Sequence, residues 1–152
     1  SAALETGGGV LQALPLLGDQ PFMVLNADVF CDFPLAGLVA RGLASDALAH
    51  LVLVPNPPQH PAGDFALNEG LCADQGQPRF TFSGIRIFHP ALFAGCAPGR
   101  FSVVPLLRAA MSRQRVSGEL WHGQWHDVGT PQRLEALNQQ VGEAANSIRM
   151  PG

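Results

Sequence analysis

The feature that most restricts the fold is the unbroken apolar run Phe22-Met23-Val24-Leu25, which ends abruptly in Asn26-Ala27-Asp28. Apolar residues without alternation read as a central strand buried on both faces, and the polar residues mark its C-terminal edge. In open α/β sheets that edge is where ligands bind. Ala49 to Val54, apolar except for His50, predicts another buried strand, and Pro34 to Leu43 between them suits a helix that opens on proline. Phe65 to Leu71 and Phe80 to Phe88 read as strands, and Val116 to Asp127 holds one or two more. Ser102 caps a helix reaching Met111, with Val103, Val104, Leu107 and Met111 as its apolar stripe. Helices and strands alternate throughout, which predicts an α/β class with a mixed sheet.

Both ends carry helix signals. Thr6 can cap a short helix starting in Gly7-Gly8-Gly9, with Val10, Leu11 and Leu14 on one face, and Pro15 should stop it near Leu14. Thr130-Pro131 is a helix start with Leu134, Leu137 and Val141 at helical spacing. After Gly142 the apolar pattern fades, so residues 143–152 are expected to fray.

Composition removes several functions. The chain has 152 residues, 47% hydrophobic and 14% charged, too apolar for a disordered tail and long enough for a core. Its apolar runs fall short of the roughly 20 residues that span a bilayer. A net charge of -3 without a basic cluster gives no footprint for nucleic acid or anionic membrane. Cys31, Cys72 and Cys96 are odd in number and widely spaced, which suits reduced thiols and a cytoplasmic location rather than a disulfide framework. The start, Ser1 to Thr6, lacks the pattern of a secretory signal.

Several groups could carry chemistry. Glycines after Glu5-Thr6 at a helix start would let a ligand approach free N–H groups, or they form an ordinary turn. Asp28, with Asp32 close behind, could hold Mg2+ against substrate phosphates, or cap the next element. Asp127, in Trp125-His126-Asp127-Val128-Gly129-Thr130, could be a second metal ligand or could simply assist a turn. His122 and His126 share a face only on a helix, and that segment reads as strand, which disfavours zinc. Gly84, within a strand, marks a bulge or a close approach by a backbone or ligand. No spacing suggests a Ser-His-Asp nucleophile.

Leu4-Glu5-Thr6-Gly7-Gly8-Gly9, Asn26-Ala27-Asp28, Phe80-Thr81-Phe82-Ser83-Gly84-Ile85, His89-Pro90-Ala91-Leu92-Phe93, Pro105-Leu106-Leu107-Arg108 and Trp125 to Thr130, in this order, resemble the sugar-1-phosphate nucleotidyltransferases. The resemblance implies a Rossmann-like nucleotidyltransferase fold with a mixed sheet. It places Thr6, Gly7, Gly8 and Asn26 at the nucleotide, Asp28 and Asp127 on Mg2+ as the catalytic pair, and Gly63, Asp64, Ser83 and Gly84 around the sugar. The implied substrates are a nucleoside triphosphate and an N-acetylated sugar 1-phosphate. Ala27 stands where the family's Asn-Gly-Asp has glycine. The family's Gly-rich, Arg-bearing loop and its Lys-Pro-Leu segment have no counterpart before Leu4, and the chain contains no Lys. Residues 1–142 are therefore expected to be the C-terminal portion of one such domain, weak or inactive without the rest. Two other readings stay open. One is a non-catalytic nucleotide-sugar-binding or self-associating module with exposed sheet edges, and the other is a glycosyltransferase of related fold using Asp28 and Asp32.

Overall fold

A computed structural model describes residues 5–99 and 101–128, with 132, 135, 138 and 139 beyond them. Helix α1 (Glu5–Leu17) leads to β1 (Phe22–Leu25), β2 (Val29–Cys31), α2 (Leu35–Arg41) and β3 (Ala49–Val54). Then come β4 (Phe65–Asn68), β5 (Leu71–Ala73), β6 (Arg79–Phe88), a 3-10 turn at Pro90–Phe93, α3 (Val104–Ser112), β7 (Val116–Leu120) and β8 (Trp125–Asp127). The class is α/β with a mixed sheet, as the alternation of apolar periods implies. A six-stranded sheet runs in the order β1-β6-β3-β7-β5-β4, and β2 pairs with β8 as a separate ribbon. Among the described residues only β3 and β7 pair in parallel, and the other pairings are antiparallel. Because β4 also pairs with the start of β6, the sheet curls back on itself there.

The second apolar run is the buried strand its sequence predicts: Ala49, Leu51 and Leu53 join a core with Leu107, Ala110 and Met111 of α3, while Val52 faces a second core with Leu38, Ile85 and Ile87. Burial on both faces explains the lack of alternation. The first run differs from expectation. β1 lies at the sheet edge, with Leu25 48% exposed, and its outer side has no partner strand among the described residues.

Three boundaries also differ. The helix α1 passes Pro15 and ends at Leu17, so Thr6 lies within it rather than capping it. Pro15 is exposed, where water can take the carbonyl that its missing N–H leaves unmet, and Val10, Leu11 and Leu14 hold the helix to the core. Pro34 is the N-cap of α2, not its first helical residue. The expected strand from Phe65 to Leu71 is instead a hairpin, because Glu69 (φ 52) and Gly70 (φ 79) turn the chain between β4 and β5. The N-cap of α3 is Val103, and Ser102, one residue earlier, accepts from Val104 N–H through its Oγ at 3.1 Å. Thr130, Pro131, Leu134, Leu137, Val141 and the 143–152 tail lie outside the described residues.

Cys31, Cys72 and Cys96 are free thiols, and burial pushes Cys72 up to about 12, so it stays protonated at neutral pH. Among the described residues no helix is long and apolar enough to cross a membrane.

Candidate active site

The cleft forms where β1 runs out. Pairing between β1 and β6 stops at Leu25 opposite Ile85, and one further bond, Asn26 N–H to Gly84 O at 3.0 Å, continues the line. Here β6 bulges: Leu51 pairs with Arg86 but Leu53 pairs with Phe82. Gly84 sits in the bulge at φ +94, and a Cβ there would lie 2.9 Å from Asn26 Nδ2. Both expectations for this glycine hold, since the bulge is what permits the close approach.

Asn26 is anchored from below by Arg86, one of whose terminal nitrogens donates to Asn26 Oδ1 at 2.7 Å and to Gly84 O at 3.0 Å. Arg86 is 2% exposed and lies over the rings of Phe82 and Phe88. Its Nε has no hydrogen-bond partner among the described residues. Burial lowers the guanidinium to about 10, still well above neutrality, so it remains cationic.

Beyond Asn26 the chain turns through Asp28 into β2. The β2–β8 ribbon sets Val29 opposite Asp127, and Val128 N–H bonds Asp28 O at 2.8 Å. Residues almost a hundred positions apart in sequence therefore bring Asp28 and Asp127 onto the wall of one cleft, together with Asn26, Asp64, Ser83 and Trp125. Trp125 Nε1 donates to Ser83 O at 2.8 Å, tying the ribbon to the β6 bulge. Ser83 itself is 0% exposed, and its Oγ accepts from Ile85 N–H.

Asp64 enters the cleft from the loop before β4. Its Oδ2 accepts from Phe82 N–H at 2.8 Å and its Oδ1 faces His60 Nε2 at 2.9 Å. The charged or titratable side chains on the described cleft wall are thus Asp28, His60, Asp64 and Asp127, with no Arg. Asp28, in the turn before β2, and Asp127, on β8, offer hard oxygen donors of the kind that hold Mg2+ alongside substrate phosphates, although no group of three His, Cys, Asp or Glu side chains comes together among the described residues.

The other residues singled out from the sequence stand apart. Gly63 and Gly84 are not on the cleft wall; Gly63, at φ +68, has Asn56 Oδ1 and Phe80 O where a Cβ would go. Gly7 and Gly8 lie inside α1, packed against residue 101: Gly8 N–H bonds Phe101 O at 3.3 Å, and a Cβ on Gly7 would strike the Phe101 ring. The open helix N-terminus expected at these glycines is therefore displaced, and neither glycine is on the described cleft wall, while the side chain of Thr6 is outside what the structure describes. Asp32 is also elsewhere, its Oδ1 accepting from Trp121 Nε1 at 2.7 Å, so the Asp28 and Asp32 pairing is not assembled in the cleft.

Sequence reasoning missed His60, Arg86 and the tie made by Trp125. Arg86 stood in a strand at an inward position, a signal that a buried cation was present but not of what it held. A Ser, His and acid chain also exists where no spacing suggested one: His50 Nδ1 is 2.8 Å from Ser117 Oγ, and its Nε2 is 2.6 Å from Glu119 Oε2. It sits at the start of β3, the opposite end from the cleft, where Arg41 of α2 also donates to Glu119 at 2.9 Å. It fastens α2 to the sheet.

No family model matches the chain. It is 43% identical over 148 residues to the N-acetylmuramate alpha-1-phosphate uridylyltransferase of Neisseria meningitidis serogroup B, covering 93% of this chain and 64% of that protein. The protein of the same name from Caulobacter vibrioides is 33% identical, with 93% of this chain and 63% of the relative covered. The chain thus spans somewhat less than two thirds of these relatives. Among solved structures, the inositol-1-phosphate CTP transferase from T. maritima superposes with a TM-score of 0.69 at 13% identity, over 91% of this chain and 61% of that one. That likeness establishes a Rossmann-like nucleotidyltransferase fold, and the sequence relatives bear out the resemblance to the sugar-1-phosphate nucleotidyltransferases.

Proposed function

We propose that this chain carries the metal-binding and sugar-binding side of a nucleotidyltransferase that transfers UMP from UTP to N-acetylmuramate 1-phosphate and releases pyrophosphate. The observation that carries the reading is the convergence of Asp28 and Asp127 on one cleft wall at the C-terminal edge of β1. A phosphate oxygen of the sugar phosphate attacks the α-phosphorus of UTP, a new P–O bond forms, and the bond from the α-phosphorus to the bridging oxygen breaks. Asp28 and Asp127 would hold Mg2+, which supplies charge neutralisation at the phosphate oxygens. Asn26, fixed by Arg86 and by its backbone bond to Gly84, gives the nucleotide a rigid edge to lie against. Trp125 keeps Asp127 in register with the β6 bulge. No covalent intermediate on the protein is required, so catalysis is positioning and electrostatics.

The described cleft wall has no Arg to meet a triphosphate, so turnover by this chain should be slow unless a segment bearing cations completes the site. The test is pyrophosphate release from UTP, Mg2+ and N-acetylmuramate 1-phosphate, with UDP-N-acetylmuramate identified as co-product. Asp28→Ala and Asp127→Ala should each lower the rate on the order of 100-fold. Turnover unaffected by both substitutions would remove these carboxylates from the mechanism.

A further inference from the structure

The charge pattern of the cleft assigns a task to His60. Both oxygens of Asp64 are engaged within the fold, one by Phe82 N–H at 2.8 Å and the other by His60 Nε2 at 2.9 Å. A carboxylate only accepts, so Nε2 carries the proton, and Nδ1 is the ring nitrogen left for a ligand. The loop that carries the ring is tightly held. His60 N–H bonds Pro57 O at 2.9 Å, Gly63 N–H bonds His60 O at 3.3 Å, and Asp64 N–H bonds Phe80 O at 2.7 Å. Asn56 Nδ2 reaches Pro61 O at 3.1 Å and Arg79 O at 3.0 Å, while Thr81 Oγ1 donates to Asn56 Oδ1 at 2.9 Å. Gly63 has no space for a Cβ against Asn56 and Phe80 O, so the loop closes in one geometry with the imidazole 39% exposed at the cleft.

Every other titratable group on the described wall, Asp28, Asp64 and Asp127, is a carboxylate, which repels an anionic substituent on the sugar. Asn26 and Gln59 on the described wall can donate as neutral amides, but His60 is the one side chain there that can meet an anionic arm with a positive charge. When protonated, His60 donates from Nδ1, and Asp64 behind it balances the charge, in the manner of a charge-assisted bond. We infer that His60, oriented by Asp64, selects a sugar 1-phosphate that carries a carboxylate substituent over one that does not. This rests on the nucleotidyltransferase reading and deepens it, because muramate differs from glucosamine by a lactyl ether that ends in a carboxylate.

The experiment compares binding of N-acetylmuramate 1-phosphate, its lactyl amide and N-acetylglucosamine 1-phosphate to the chain with Mg2+, by calorimetry and by NMR of the imidazole ring. The acid should bind about tenfold or more tightly than the amide, the factor expected of one charge-assisted hydrogen bond. His60 ring signals should move with the acid and not with the amide, and His60→Gln should bring the acid-to-amide ratio close to one. If acid and amide bind alike, the inference about His60 fails while the nucleotidyltransferase reading stands. Preference retained in His60→Gln overturns it as well, because another group must then read the carboxylate. If none of the sugar phosphates binds, the underlying reading fails and the inference with it. Should His60→Gln not fold, the acid and amide comparison on the unmodified chain decides.

Discussion

A methyl group on residue 84 would meet Asn26 Nδ2 at 2.9 Å and Asn26 Cβ at 3.0 Å, on a backbone already at φ +94. Crowding and dihedral strain act together here, and strained backbone of this kind costs about 1–3 kcal/mol. Gly84→Ala should therefore lower the unfolding free energy measured by urea titration by that amount, and by displacing Asn26 it should also weaken binding of a UDP-sugar. Gly37, inside α2 with nothing within 4 Å, provides the contrast. Gly37→Ala should be neutral or stabilising by up to about 1 kcal/mol, and equal losses at both positions would contradict this account. That a glycine in a strand pattern meant a bulge or a close approach was legible from sequence. Its neighbour was not, because Asn26 arrives from 58 positions away in a pairing no local pattern encodes. The same holds for His60 and Asp64, whose bond appears only when the Pro-rich loop is folded, although the residues themselves are near in sequence.

Elements were legible where burial is uniform and obscure where a long-range pairing or a turn decides. Apart from His50, β3 is apolar because it is covered on both faces, and its limits follow from that run. The run in β1 carries the same sequence signal but sits at an edge among the described residues, since strand order is not written in apolar content. The β2–β8 ribbon left little trace, being short, yet it joins Asp28 to Asp127. One tie to the sheet is a side-chain bond, Trp125 Nε1 to the carbonyl of Ser83, a residue with 0% exposure. Trp125→Phe keeps most of the ring packing and leaves that carbonyl unmet, at a cost of about 1–3 kcal/mol. Asp127, two residues along, loses its register, so the affinity for a UDP-sugar in Mg2+ should fall with the urea midpoint. A variant that loses neither would show that the ribbon is positioned by other contacts.

Across the whole molecule the charge is unevenly used. The net charge is -3 and the only basic residues other than histidine are nine arginines. Several of these are engaged within the fold: Arg41 with Glu119, Arg79 with the carbonyls of Asp64 and Asp74, Arg86 with Asn26, Arg108 with Asp74 and Arg115 with Asp46 O. The lack of lysine was visible from composition. That five of the described arginines are engaged in holding the fold, while Asp28, Asp64 and Asp127 face the cleft, required the fold. A polyphosphate entering such a cleft is repelled unless a divalent cation lies between, so binding of UTP or a UDP-sugar should depend on Mg2+ and little on monovalent salt. Chelation with EDTA should weaken binding at least tenfold. Raising sodium chloride from about 50 to 200 mM, which strongly disrupts contacts made by exposed basic residues, should change it far less. Calorimetric titrations under the two conditions separate the causes: a large salt effect with none from EDTA would mean that arginines, not Asp28 and Asp127 with a metal, receive the phosphates.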